Sequence, residues 1–243
     1  SFVVIAAQTA SHFPLALACL ESGMNILIEK PMTATVVEAS RIQKLWAEKH
    51  VKVMIGHHRR FGDAERAIAS CLHQGNLGRI IAIQVTHNFN DHSRAPISDY
   101  LTLSGRHEGG VLYEYLSHEI DLLRFYFPSV NIESIQGCRQ SINHFEDTAS
   151  VQFKLDNGVL VSYLISSATT DQEEYRVFGT EGQVTFNRYR DPSPRFYSRA
   201  SLSNRPLRFI LEYKDSLKSI AMLKYGLREN IIKPYIHELE YFA

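Results

Sequence analysis

Residues 1–56, SFVVIAAQTASHFPLALACLESGMNILIEKPMTATVVEASRIQKLWAEKHVKVMIG, carry the pattern that sets the fold. Phe2-Val3-Val4-Ile5-Ala6-Ala7 is a short, continuous apolar run, as expected of a strand buried on both faces. Ser11 is the expected N-cap of a helix running to about Ser22, with Leu15, Ala18 and Cys19 on one face and Gly23 as its stop. Asn25 to Ile28 is a second apolar strand. Thr35 opens a second helix, with Val37, Ile42, Leu45 and Trp46 spaced for one face. Val51 to Ile55 is a third strand, closed by Gly56. Short apolar strands alternating with helices predict a parallel sheet covered on both faces. A βαβαβ unit of this size is one half of a doubly wound, Rossmann-type fold.

Beyond Gly56 the pattern changes. A helix is predicted from Asp63 to His73, ending at Gly75. From Arg79 to Thr86 begins a series of longer, alternating strands. Ile132 to Gln140 is one of them. Ser150 to Leu155, the turn Asp156-Asn157-Gly158, and Val159 to Ile165 form a strong hairpin signal. Tyr175 to Phe178 and Gln183 to Phe186, joined by Gly179-Thr180-Glu181-Gly182, form a second. Strands with one polar face predict an open, mainly antiparallel sheet within an α+β domain. The expected division is therefore 1–56, a partial Rossmann domain, and 57–243, an α+β domain. The tail from Asp215 reads as helical.

Composition bounds what such a chain can do. With 26 basic and 26 acidic side chains the formal charge is zero, which argues against a nucleic-acid binder, whose domains carry a basic excess. Hydrophobic residues make up 44% and charged residues 21%, a composition that builds a core. Cys19, Cys71 and Cys138 form no C-x-x-C pair, so buried thiols in a reducing, cytoplasmic compartment are expected. No apolar run approaches the roughly 18–20 residues of a membrane helix, so no membrane association is expected. The chain opens on Ser1 directly into a strand, without Met or a basic leader, and reads as a cut start.

Three stretches carry candidate chemistry. In Gly109-Gly110-Val111-Leu112-Tyr113-Glu114-Tyr115-Leu116-Ser117-His118-Glu119-Ile120-Asp121, helical periodicity puts Leu112, Leu116, Ile120, Leu123 and Phe127 on one apolar stripe. Glu114, His118 and Asp121 fall opposite. A carboxylate one turn from an imidazole can orient it, which makes His118 a candidate general acid/base. A solvated face with an i,i+4 pair is the competing explanation. Glu29-Lys30-Pro31 follows the second strand and places Lys30 at the carboxyl edge, where ligands of open α/β sheets bind. His57-His58-Arg59-Arg60-Phe61 could grip an anion or pack as a basic linker. His12, His87, His92 and His107 show no ligand spacing, and His118-Glu119 lacks the second His of H-E-x-x-H, so no metal site is expected.

Taken together the sequence resembles the Gfo/Idh/MocA family of NAD(P)-dependent sugar oxidoreductases. The carriers are Ala6-Ala7 and His12, Glu29-Lys30-Pro31, Gly56-His57-His58-Arg59-Arg60-Phe61, Gly75-Asn76-Leu77-Gly78-Arg79-Ile80, and Gly109-Gly110 leading to Glu114, His118 and Asp121. Glu146-Asp147-Thr148-Ala149 and Gly179-Thr180-Glu181-Gly182 complete the set. The resemblance implies that nicotinamide and sugar meet in a cleft between a Rossmann domain and a sheet domain. It assigns Lys30 to the substrate, His118 to acid/base catalysis, and Glu114 to the place where the family commonly has Asp. Ala7, Gln8, Thr9, His12, Glu29, Lys30 and Arg60 match positions near the cofactor, NAD or NADP. The family often has Thr-Pro where this chain has Ala7-Gln8. The implied substrate is a sugar or nucleotide-sugar, and the implied assembly a homo-oligomer formed through the open sheet.

None of the 13 glycines forms G-x-G-x-x-G, the turn that receives a dinucleotide pyrophosphate. A first Rossmann half of roughly 60–70 residues is expected to precede Ser1. The alternative expectation is a naturally shortened, non-catalytic relative that binds a sugar or a partner. The NAD/NADP choice is set in that first half and is not legible here.

Overall fold

A computed structural model describes residues 1–90, 110–140, 147–188, 191–199 and 227–242 of the 243. By contacts the chain divides into two units, Ser1–Phe61 with Ile232–Ala243, and Gly62–Ile231.

The first unit is built on β1 (Phe2–Ile5), α1 (Thr9–Glu21), β2 (Asn25–Glu29), α2 (Val36–Glu48) and β3 (Val53–Gly56). The three strands pair in parallel in the order β1-β2-β3. Ile26, Leu27 and Ile28 of β2 are all buried because β2 runs between the other two. Ile26 and Ile28 form a core with Ile5, Ala16, Leu20 and Ile42, and Leu45 packs against it. Thr35 caps α2 with a reciprocal pair: its hydroxyl accepts from Glu38 N at 3.2 Å, and Glu38 Oε2 accepts from Thr35 N at 3.1 Å.

Several sequence expectations need correction here, and the first is β1, where Phe2 and Val4 are exposed rather than buried on both faces. The helix α1 starts at Thr9, with Gln8 rather than Ser11 at the cap position and no side-chain capping bond. Its buried stripe is His12, Ala16 and Leu20, whereas Leu15 and Ala18 are exposed. His12 spends its ring nitrogens on backbone carbonyls of the sheet edge, so this face turns inward although it begins with a polar residue. On α2, Ile42 is buried but Val37 is 71% exposed, and Trp46 turns outward to donate its indole N–H to Val51 O at 2.9 Å.

In the second unit, α3 (Asp63–His73) is followed by β4 (Ile80–Asn90), α4 (Gly110–Tyr126), β5 (Ile132–Gln140), β6 (Thr148–Leu155), β7 (Leu160–Ser166), β8 (Ala168–Gly179), β9 (Gly182–Asn187) and β10 (Asp191–Ser198). Among the described residues the sheet has seven strands in the order β10-β9-β8-β4-β7-β6-β5. Every pair is antiparallel except β4 with β7. Its core row includes Ile83, Val85 and Phe89 of β4, Val151 and Phe153 of β6, Val161, Tyr163 and Ile165 of β7, and Tyr175 and Val177 of β8. Alternation along each strand puts most of these residues inside, and it breaks at the strand ends, where Asn88 and Ser166 are buried beside Phe89 and Ile165.

Both expected hairpins form. Asp156-Asn157-Gly158 closes β6 onto β7, with Leu155 N donating to Val159 O at 2.9 Å. The second turn is fastened elsewhere as well: Thr180 N donates to Arg79 O, Glu181 N to Leu77 O, and Arg79 N to the Thr180 hydroxyl. Gly179 is required by this joint, since a Cβ there would run into the Leu77 carbonyl. Two motifs far apart in sequence, Gly75 to Ile80 and Gly179 to Gly182, are thus one structural device.

The last helix, α5 (Leu227–Phe242), groups with the first unit from Ile232 onward. Tyr235 stacks on His58 at 4.0 Å between ring centroids, and Phe242 meets Phe2 edge-on at 5.6 Å. The predicted helical segment from 215 to 226 lies outside the described residues. Cys19, Cys71 and Cys138 are free, but against the expectation of buried thiols only Cys71 is buried; Cys19 is half-buried and Cys138 exposed. Among the described residues no helix is long and apolar enough to cross a membrane.

Candidate active site

Because β1, β2 and β3 are parallel, their carboxyl ends share one edge of the sheet. That edge carries Ala7-Gln8-Thr9 after β1, Glu29 and Lys30 at the end of β2, and Gly56 at the end of β3. Ala6, Ala7 and Gln8 are exposed, and Glu29 and Lys30 half-buried. His12 is 1% exposed and joins two of these loops: its Nδ1 lies 2.9 Å from Pro31 O and its Nε2 2.9 Å from Ala7 O. An imidazole with one N–H can donate to only one of these carbonyls at a time. The Lys30–Pro31 peptide is cis.

Glu29 turns its carboxylate back along the edge, where Oε2 accepts from Lys30 N at 3.3 Å. Gly56 is its register partner. A Cβ at Gly56 would lie 3.1 Å from Glu29 Oε2 and 3.2 Å from Glu29 Cα, so glycine lets β3 close against this carboxylate. Beyond it, His58–Phe61 make one turn of 3-10 helix, with Arg59 and Phe61 buried and Arg60 half-buried. The helix α1 begins at this edge with no side-chain cap and no acidic residue in its first turn. Its first backbone N–H groups therefore suit a polar or anionic ligand.

In the second unit, α4 carries His118 and Glu114. His118 is 5% exposed and Asp121 7%, so the solvated-face explanation of this helix does not hold. The helix packs on the sheet through Leu122, Leu123 and Tyr126, and of its side chains from Tyr115 onward only Arg124 is exposed. The Glu114 side chain lies outside the described residues, as do Gly109, Glu146, His92 and His107. Asp147 of the Glu146-Asp147-Thr148-Ala149 motif is buried, and its carbonyl accepts from Ser167 N at 2.8 Å.

The structure also assembles a polar cluster that local sequence patterns do not show. Tyr175 OH sits 2.6 and 2.7 Å from the two carboxylate oxygens of Glu119. Glu173 forms an ion pair with Arg188, Oε1 to Nε at 3.0 Å, and Arg188 also pairs with Glu65. Burial alone would lower the Arg188 pKa, but the Glu173 and Glu65 carboxylates outweigh it and hold the guanidinium well above its ordinary value. His87 stands opposite Glu173 in the β4–β8 register. The one available signal was strand alternation: Ile83, Val85, His87 and Phe89 share the inward row.

Comparison with known proteins follows this architecture. Residues 1–57 match the family described as the oxidoreductase family with an NAD-binding Rossmann fold, and residues 66–185 match the GFO/IDH/MocA C-terminal domain. The chain belongs to the Gfo/Idh/MocA oxidoreductase family. It is 28% identical over 193 residues to oxidoreductase P35 of Formosa agariphila, covering 77% of this chain and 59% of that one. It is 26% identical over 183 residues to the scyllo-inositol 2-dehydrogenase (NADP(+)) IolW of Bacillus subtilis, covering 74% and 49%. A crystal structure of an inositol dehydrogenase homolog from Azotobacter vinelandii, complexed with NADH and myo-inositol, superposes with a TM-score of 0.71 at 19% identity, over 81% of this chain and 53% of that one. The chain spans about half the length of the curated relatives it matches.

Proposed function

We propose that this protein is an NAD(P)-dependent oxidoreductase acting on a hydroxyl or keto carbon of a sugar or nucleotide-sugar. The observation that carries this reading is the carboxyl edge of the parallel sheet. There His12 ties the Ala7-Gln8-Thr9 loop to the Glu29-Lys30-Pro31 loop, beside the uncapped start of α1. Open N–H donors, a carboxamide, a carboxylate and a lysine suit the ribose and carboxamide end of a nicotinamide dinucleotide. Ala7, Gln8, Thr9, Glu29, Lys30 and Arg60 would hold it, with His12 fixing the two loops. When bound, the cofactor supplies hydride chemistry; the chain supplies orientation and proton transfer.

Lys30 is assigned to the reacting substrate oxygen, where a fixed cation stabilises developing negative charge. His118 is assigned to accept the hydroxyl proton on a ring nitrogen during oxidation, and to return it in the reverse direction. Glu114, one turn before it on α4, is assigned to orient that imidazole. The names of the relatives support a polyol or sugar ring as substrate class and span both NADH and NADP(+). Leu160 and Leu164, both exposed on the face of β7 turned from the core, support pairing of copies through the open sheet. Fluorescence titration of the whole protein with NADH and with NADPH tests the reading. Saturable binding of at least one is expected, and binding of neither contradicts it.

A further inference from the structure

The buried cluster of the second unit is absorbed by neither the cofactor edge nor His118. His87 of β4, Glu119 of α4 and Glu173 of β8 each bring one donor atom within 4.8 Å of the others. Their side chains are nearly sealed: His87 and Glu119 are 3% and 0% exposed, and Glu173 is 1%. The Nδ1 of His87 is buried with no hydrogen-bond partner. It points at Glu119 Oε1 from 3.9 Å, beyond hydrogen-bond reach.

That separation is close to the spacing of two donors on one ion. Ligands at about 2.0–2.2 Å from a tetrahedral centre lie roughly 3.3–3.6 Å apart. The outer limit of 4.8 Å closes with side-chain rotations moving donor atoms by about an ångström. The charges agree as well. Three carboxylates, Glu65, Glu119 and Glu173, share this region with the guanidinium of Arg188. Buried carboxylates are retained when paired with cations or coordinated to metal. Tyr175 and Arg188 hold Glu119 and Glu173 in place, the role outer-shell partners play around metal ligands.

We infer that His87, Glu119 and Glu173 form a binding site for a divalent transition-metal ion. One imidazole with two carboxylates is a borderline donor set, suited to Zn2+ or Mn2+. The ion would tie β4, β8 and α4 together. The inference stands apart from the proposed hydride chemistry, since none of the three residues is assigned to it.

The test is Zn2+ titration of the chelator-treated, untagged protein by calorimetry, with Mn2+ followed by electron paramagnetic resonance. Wild type is expected to bind about one equivalent of Zn2+ and to melt at a higher temperature with the ion present. His87→Gln, which leaves the Glu65–Arg188–Glu173 group intact, should weaken binding at least about tenfold and lose the melting shift. His50→Gln, at an exposed histidine, should change neither. Circular dichroism establishes that each variant is folded. Should His87→Gln not fold, Glu119→Gln is the second variant, with the same expected loss. Absence of saturable binding of either ion by wild type overturns the site. So does binding by folded His87→Gln or Glu119→Gln equal to wild type.

Discussion

Replacing His118 by alanine in the whole protein lowers turnover by about 10²–10⁴-fold, the range for removing a general acid/base, and leaves cofactor binding near its wild-type strength. The imidazole is 5% exposed on α4, within a helix whose packing face is fully occupied, so the ring is delivered in a fixed place rather than on a mobile arm. In the proposed role its loss removes a proton acceptor, not a binding contact for the dinucleotide. The expected pattern is therefore a fall in kcat with little change in NADH affinity. His118→Gln keeps much of the volume without a titratable group and should behave the same way. Near wild-type kcat in either variant would remove His118 from the chemistry.

Lys30→Ala is the second large effect. A fixed cation at a developing oxyanion is worth roughly 10²–10³-fold in kcat, and the same order is expected here. Lys30 sits at the end of β2, whose residues Ile26 to Ile28 are buried, and its loop is fastened through Pro31 O to His12. The backbone that carries Lys30 is thus held in place at this edge. Lys30→Arg is expected to restore only part of the activity, because the wider planar guanidinium cannot occupy the site of a compact point charge. Full activity in Lys30→Arg would show that charge alone suffices. Full activity in Lys30→Ala would remove Lys30 from the reaction.

Much of the fold is legible in the sequence. The helix Asp63–His73 and the strand Ile132–Gln140 fall where their patterns place them, because each is bounded by strong local signals. The βαβαβ order and both hairpins were readable for the same reason. The α1 face was not: polar His12 joins Ala16 and Leu20 on its buried stripe, its ring nitrogens set against two carbonyls that only the folded edge presents. The burial of His118 and Asp121 was likewise hidden, since helical periodicity assigned them to the polar side. The cluster of His87, Glu119 and Glu173 joins two strands and a helix distant in sequence, and no short motif records such a meeting. Strand register does, by placing His87 against Glu173.

The central claim is hydride transfer between a nicotinamide cofactor and a sugar-like substrate. Its most direct test is the absorbance of reduced nicotinamide while the protein is offered NAD or NADP with a panel of cyclic polyols, free sugars and nucleotide-sugars. Reduction of one cofactor that depends on both substrate and protein, and that collapses in His118→Ala, is the predicted result. Saturable cofactor binding without reduction on any member of the panel, in either direction, would contradict it.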